Sequence, residues 1–171
     1  MRQAGAPSAE VRSRRRAALT DLILDVFRLN GVLLASGDAL VADLGLTSAR
    51  WQVLGAIALA PAPLPVAHLA RTMGLTRQAV QRSVDELRAD GLVRLEPNPH
   101  HRRAALVRMT EPGEAAYRAA SRRQETWADA LAADLPPEII EAADGLLRAL
   151  RARLAGPDPS PATAPDTLET C

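Results

Sequence analysis

Apolar side chains recur at helical spacing through most of the chain. Leu19, Leu22, Ile23, Val26, Phe27, Leu33 and Leu34 form one stripe, with Gly37 as its expected stop. A second helix is predicted from Thr47, a good N-cap, with Trp51, Leu54, Ile57 and Ala58 on one face. Three prolines in Ala60-Pro61-Ala62-Pro63-Leu64-Pro65 forbid a regular helix, so that segment reads as a connector. A short helix follows, striped by Val66, Leu69, Ala70 and Met73 and closed by Gly74. Thr76 caps the next helix, and Leu75 before it is placed to pack on Val80 as a hydrophobic staple. The inward face of that helix is expected to be Ala79, Val80, Ser83, Val84 and Leu87, with Gly91 at its end.

Residues 92–96 and 105–109 read as two strands joined by a loop too long for a two-residue hairpin. Thr110 caps an Ala-rich helix running towards Leu131. Pro136 opens the last helix, whose stripe is Ile139, Ile140, Ala143, Leu146, Leu147, Leu150 and Leu154. Residues 1–9 and 155–171 read as disordered tails around a single ordered body over 10–154.

Composition narrows the class. Aromatics are 2% of the chain, so the core must be aliphatic. The single Cys, Cys171, forms no intrachain disulfide and fits a reducing, cytoplasmic compartment. Asp21, Asp25 and Arg28 interrupt the apolar stretch after Leu19, which argues against a membrane span or a signal core.

The net charge of +1 conceals segregation. All 21 basic residues are Arg, and residues 66–108 hold eight of them against four acids. Residues 109–171 hold six against eleven acids. A basic middle points to an anionic partner, although a salt-bridged surface gives the same count.

The basic segment also carries the most specific pattern. Two helices joined by Gly74-Leu75-Thr76 have the helix-turn-helix signature, and the second runs directly into a hairpin with a basic tip. Arg77, Gln78, Gln81 and Arg82 face outward at the start of the second helix. These side chains can pair with base edges in a major groove, Arg with guanine and Gln with adenine. Arg88, further along, is placed for a phosphate. Arg102 and Arg103 at the hairpin tip repel each other unless an anion receives them, and a narrow minor groove attracts Arg. A solvated helix face is polar in any case, so the hairpin arginines add weight that the helix alone lacks.

Residues 46–113 resemble the MarR family of bacterial transcriptional regulators. The similarity lies in Leu46-Thr47-Ser48-Ala49-Arg50-Trp51-Gln52-Val53-Leu54, in the run from Leu69 to Val80, in Val84-Asp85-Glu86-Leu87 and in Gly91-Leu92-Val93. Its most specific piece is Asn98-Pro99-His100-His101-Arg102-Arg103-Ala104 before Leu106-Val107-Arg108-Met109-Thr110-Glu111-Pro112-Gly113. The resemblance implies a mainly α fold: a winged helix-turn-helix over about 47–110, with a small β-hairpin wing, flanked by N- and C-terminal dimerisation helices. It implies a homodimer on double-stranded DNA, acting as a repressor on a pseudo-palindromic operator. Thr76, Arg77, Gln78, Gln81, Arg82, Arg88, His101, Arg102 and Arg103 are the implied DNA contacts.

His101 stands where the family commonly has Asp, so the usual ion pair with the wing Arg is missing and a looser wing is expected. A small aromatic or phenolic effector is implied between the dimer helices and the winged helix. Phe27 and Trp51 are candidates to line that pocket, with core packing their more ordinary role.

No Gly-rich phosphate loop, His-Glu-x-x-His or Gly-x-Ser-x-Gly supports an enzyme, and no catalytic residue or cofactor is expected. His68, His100, His101 and Cys171 are potential metal ligands, but adjacent histidines in an Arg-rich loop are poorly placed for a cation, and no metal is expected. The rival from another class is a helical protein-interaction module whose winged helix does not bind DNA.

Overall fold

The computed structural model describes residues 8–99, 101 and 103–155. Among the described residues, six α-helices and three short strands follow in the order α1 (Ala9–Val41), a 3-10 turn (Ala42–Leu44), α2 (Ser48–Ala58), β1 (Leu64–Pro65), α3 (Val66–Met73), α4 (Arg77–Ala89), β2 (Val93–Glu96), β3 (Leu106–Met109), α5 (Glu111–Ala132) and α6 (Pro137–Ala155). The chain divides into two compact units, up to Thr126 and from Trp127.

The first unit carries the core. Val80, Val84 and Leu87 lie fully buried at i, i+4 and i+7 on α4. They meet Val53 and Leu54 of α2, Leu69 of α3, and Val93 and Val107 of the sheet. Each large aliphatic buried this way is worth about 1.5–3 kcal/mol. Ala79, expected on the inward face, is exposed instead, because it lies about 100° around the helix from Val80, on the edge of the stripe that Val80, Val84 and Leu87 bury. Ala58 is likewise exposed, and Val53 supplies the α2 contact in its place.

Gly37 does not stop α1. The helix continues to Val41, and Gly37 is buried where α1 crosses α2. A Cβ there would lie 2.7 Å from Ser48 Oγ, too close for any real contact. The glycine therefore sets a close approach rather than an end. Asp38 fixes the same crossing by accepting from the Ser48 backbone N–H at 2.6 Å. Val41 and Leu46, on either side of the 3-10 turn, complete the buried seam.

The Pro-rich connector also does more than link. Its last two residues form β1, which pairs antiparallel with β3, Leu64 opposite Val107 and Pro65 opposite Leu106. The sheet order is β1-β3-β2, so Pro65 sits on an edge strand, where its missing N–H costs no interior hydrogen bond.

Thr110 links the hairpin to α5 as anticipated. Its hydroxyl donates to the Gly91 carbonyl at 2.7 Å and accepts from the Gly113 N–H at 3.2 Å. Gly113 is required here, since a Cβ would collide with the Leu92 carbonyl.

The long helices differ from this core. Over α1, Leu19, Ile23, Val26, Phe27, Leu33 and Leu34 are all exposed, and the second unit likewise exposes Ile139, Ile140, Leu146 and Leu147 of α6. Phe27 is 69% exposed, so it is not a core residue of the single chain. Among the described residues, no helix is long and apolar enough to cross a membrane.

Candidate nucleic-acid interface

The turn between α3 and α4 is fixed at both ends. Gly74 has φ +66°, the left-handed conformation that glycine adopts without strain. There the Gly74 N–H reaches the Arg71 carbonyl at 3.2 Å and the Leu75 N–H the Ala70 carbonyl at 2.9 Å. These bonds satisfy the last carbonyls of α3. Thr76 then accepts from the Ala79 N–H at 3.2 Å and caps α4. Leu75 remains 48% exposed, so any packing on Val80 is partial. The turn sets the angle at which α4 leaves the body.

With Val80, Val84 and Leu87 turned inward, helical periodicity sets Gln78 and Arg82 on the outer face and Gln81 on its flank, while Arg77 is exposed on the first turn. These four line an open depression together with Asp85 and Glu86. Gln81 is partly buried; the other three expected contacts are exposed, as are Thr76 and Arg88. Neither acid is among the expected DNA contacts. The Gln81 side-chain amide donates to Asp85 Oδ1 at 3.0 Å, a pairing that the i, i+4 spacing would have revealed.

The hairpin adds His101 and Arg103, both exposed; Arg102 and His100 lie outside the described residues. The loop is braced without the family's usual acid. Asn98 Nδ2 donates to the Ala104 carbonyl at 3.0 Å, the His101 N–H donates to the Asn98 carbonyl, and the Ala104 N–H to the His101 carbonyl. An amide thus bonds across the base of the loop.

At the foot of the wing, Arg94 on β2 lies directly opposite Arg108 on β3. Like charges so placed repel. Glu96 bridges them, with Oε1 2.9 Å from Arg94 and Oε2 3.0 Å from Arg108. Hydrogen bonds from Arg108, then Arg94, hold the Glu96 carboxyl below its ordinary value of 4.5.

Arginines within the body are similarly engaged. The Arg50 side chain, 13% exposed, bridges Asp90 at 2.7 Å and the Gly45 carbonyl, tying the start of α2 to the end of α4. Arg123 of α5 bonds Asp43 and the Leu40 carbonyl, and its hydrogen bond holds the Asp43 carboxyl below its ordinary range. Arg77, Arg82, Arg88 and Arg103 take part in none of the ion pairs among the described residues.

Of the two aromatic candidates for a pocket, Trp51 is partly buried against the core and Phe27 stands on exposed α1. Of the potential metal ligands, His68 is exposed on α3 and His101 on the wing loop, while His100 and Cys171 lie outside the described residues.

Comparison with known proteins places this arrangement. The MarR family model matches residues 44–104, which run from the end of the 3-10 turn to the wing loop. An uncharacterized protein of Mycobacterium tuberculosis is 38% identical over 127 residues, 74% of this chain and 87% of its own length. The solved structure of a MarR family transcriptional regulator from Streptomyces coelicolor superposes with a TM-score of 0.70 at 27% identity, covering 81% of this chain and 96% of that one. CouR from Rhodococcus jostii, solved bound to p-coumaroyl-CoA, superposes with a TM-score of 0.68 at 24% identity, covering 76% and 91%. A three-residue turn between two helices, a polar second helix and a hairpin with a basic tip are thus the winged helix-turn-helix of a DNA-binding transcriptional regulator, and the chain belongs to the MarR family.

Proposed function

We propose that the chain is a cytoplasmic homodimeric repressor that binds a pseudo-palindromic operator and is released by a small aromatic or phenolic effector. The observation that carries the DNA reading is the face of α4: Arg77, Gln78 and Arg82 are exposed and line one depression with the partly buried Gln81, and neither arginine takes part in an ion pair among the described residues. An α-helix fits the major groove, where Arg and Gln distinguish base pairs. Arg88 supplies a phosphate contact, and the wing tip, with Arg103, Arg102 and His101, reaches the adjacent minor groove. Wing contacts there give general affinity, because the minor groove discriminates bases poorly.

The homodimer reading rests on the apolar stripes of α1 and α6, which a single chain leaves exposed. Pairing across a two-fold axis buries them and presents two copies of α4 to two half-sites about one helical turn apart. Sedimentation should give twice the 18.2 kDa chain mass, and truncation after Leu135 should abolish the dimer. A monomer at micromolar concentration contradicts the seam. The effector reading is supported by the likeness to CouR and its bound p-coumaroyl-CoA, with Trp51 and Phe27 as candidate contacts. Small phenolic acids and their thioesters should weaken operator binding if it holds. A reporter fused to the operator distinguishes repression, which rises when the regulator is deleted, from activation, which falls.

A further inference from the structure

We propose that Asp85 is a specificity-determining residue that acts through Gln81: by holding the amide of Gln81 in one orientation, it makes that side chain accept adenine and reject guanine. This rests on the reading that α4 enters the major groove.

The geometry is local to α4. Gln81 and Asp85 are one helical turn apart and line the same depression as Arg77, Gln78 and Arg82. Gln81 Nε2 lies 3.0 Å from Asp85 Oδ1. A carboxylate only accepts hydrogen bonds, whereas an amide has a donating end and an accepting end. The NH₂ of Gln81 must therefore face Asp85; turning the amide over would set Oε1 against the carboxylate. One N–H of Gln81 is used on Asp85. What remains for a base is one acceptor, Oε1, and one donor, the second N–H.

That remainder matches adenine. In the major groove adenine offers the N6 amino donor and the N7 acceptor, a complementary pair for one acceptor and one donor. Guanine offers two acceptors, N7 and O6. A free glutamine can serve guanine by turning both of its N–H groups to the base. A glutamine held by Asp85 has one N–H left, and its Oε1 then meets an acceptor. Asp85 thus contributes mainly by excluding the wrong purine, and specificity is a difference between affinities of this kind.

The test uses the full chain and the duplex that it selects from a randomised library. Anisotropy is measured on that duplex, on variants with each single base pair replaced, and on a random duplex. Gln81→Ala first identifies the base pair at which discrimination is lost. At that pair wild type should prefer adenine to guanine by about tenfold or more. Asp85→Ala should cut that ratio severalfold by strengthening binding to the guanine duplex, with the penalties for thymine and cytosine little changed. Glu86→Gln removes a neighbouring negative charge without touching the amide. It should strengthen binding to every duplex alike and leave the adenine-to-guanine ratio as in wild type. In the Gln81→Ala background, Asp85→Ala should change no base preference.

An adenine-to-guanine ratio unaltered by Asp85→Ala overturns the proposal while leaving DNA binding by α4 intact. A preference that Asp85→Ala changes even without Gln81 overturns it too, since Asp85 would then read a base directly. If Gln81→Ala changes preference nowhere, Gln81 reads no base, and the assignment of this side chain fails with the proposal. Failure of the broader reading looks different: wild type then selects no duplex at all. Asp85 and Glu86 are both exposed, and circular dichroism confirms that each variant is folded.

Discussion

Two populations of arginine share this molecule. Arg50, Arg94, Arg108 and Arg123 each meet a carboxylate and tie elements of the body together. Arg77, Arg82, Arg88 and Arg103 sit on α4 and the wing tip without such a partner among the described residues. Arg14, Arg15, Arg16, Arg71, Arg122, Arg151 and Arg153 are outside these ion pairs too, so it is the gathering of four such arginines on α4 and the wing tip that concentrates positive potential there. Because residue type is identical, position and partner alone separate a structural role from a binding one. The four arginines of α4 and the wing tip are expected to matter for DNA and little for stability, and Arg50, Arg94, Arg108 and Arg123 the reverse.

The largest effect that would sharpen this contrast comes from α4. Each base contact is worth about 1–3 kcal/mol, so replacing Arg77 and Arg82 together with Ala should weaken operator binding by two orders of magnitude or more. The thermal midpoint should stay where it is, since neither side chain touches the core. A matching loss of stability would show that α4 needs these arginines to fold, and would break the distinction.

Arg50→Ala tests the opposite set. Its guanidinium is mostly buried and joins α2 to the end of α4, so its loss should cost about 1–3 kcal/mol in urea unfolding. Operator affinity of the folded protein should change far less than in the α4 variant. A smaller effect is expected at the wing: Arg103→Ala should lower affinity for operator and random duplex alike. It should also reduce the slope of log K against log salt by about one, as one counterion fewer is released.

The smallest effect is acid titration of the matched set. Glu96 and Asp43 have folded pKa values below their ordinary ones. Their contribution to stability is therefore complete above the ordinary carboxylate range and is lost as pH falls through the depressed values. Stability should be flat from pH 8 to pH 6 as far as these groups are concerned, and Glu96→Gln should flatten part of the acid limb. A change of that limb already near pH 6 would mean that another group controls it.

Much of this was legible in the sequence because it depends on local rules. Thr47, Thr76 and Thr110 cap the helices that their positions predicted, and Gly74 ends α3 in the left-handed conformation that a three-residue turn requires. What escaped prediction depends on neighbours distant in the chain. Gly37 looked like a helix stop because nothing nearby shows that Ser48 crosses over it. The connector prolines hid β1, whose partner lies over forty residues later. At the wing, residue type shows the missing acid, but the bond from Asn98 to the Ala104 carbonyl, six residues on, has no such signal. At the site, Arg and Gln stood out by residue type. Asp85 did not, because an acid among bases reads as solvation until its bond to Gln81 is seen.

Sequence-specific DNA recognition is the central claim, and selection from a randomised duplex library with the 171-residue chain tests it most directly. The account predicts enrichment of a pseudo-palindrome with half-sites about one helical turn apart. That duplex should bind at least about a thousandfold more tightly than random DNA at physiological salt, as specific binders typically do. Recovery of no common sequence, with equal and weak binding to every duplex, would contradict it and leave the winged helix as a protein-interaction module.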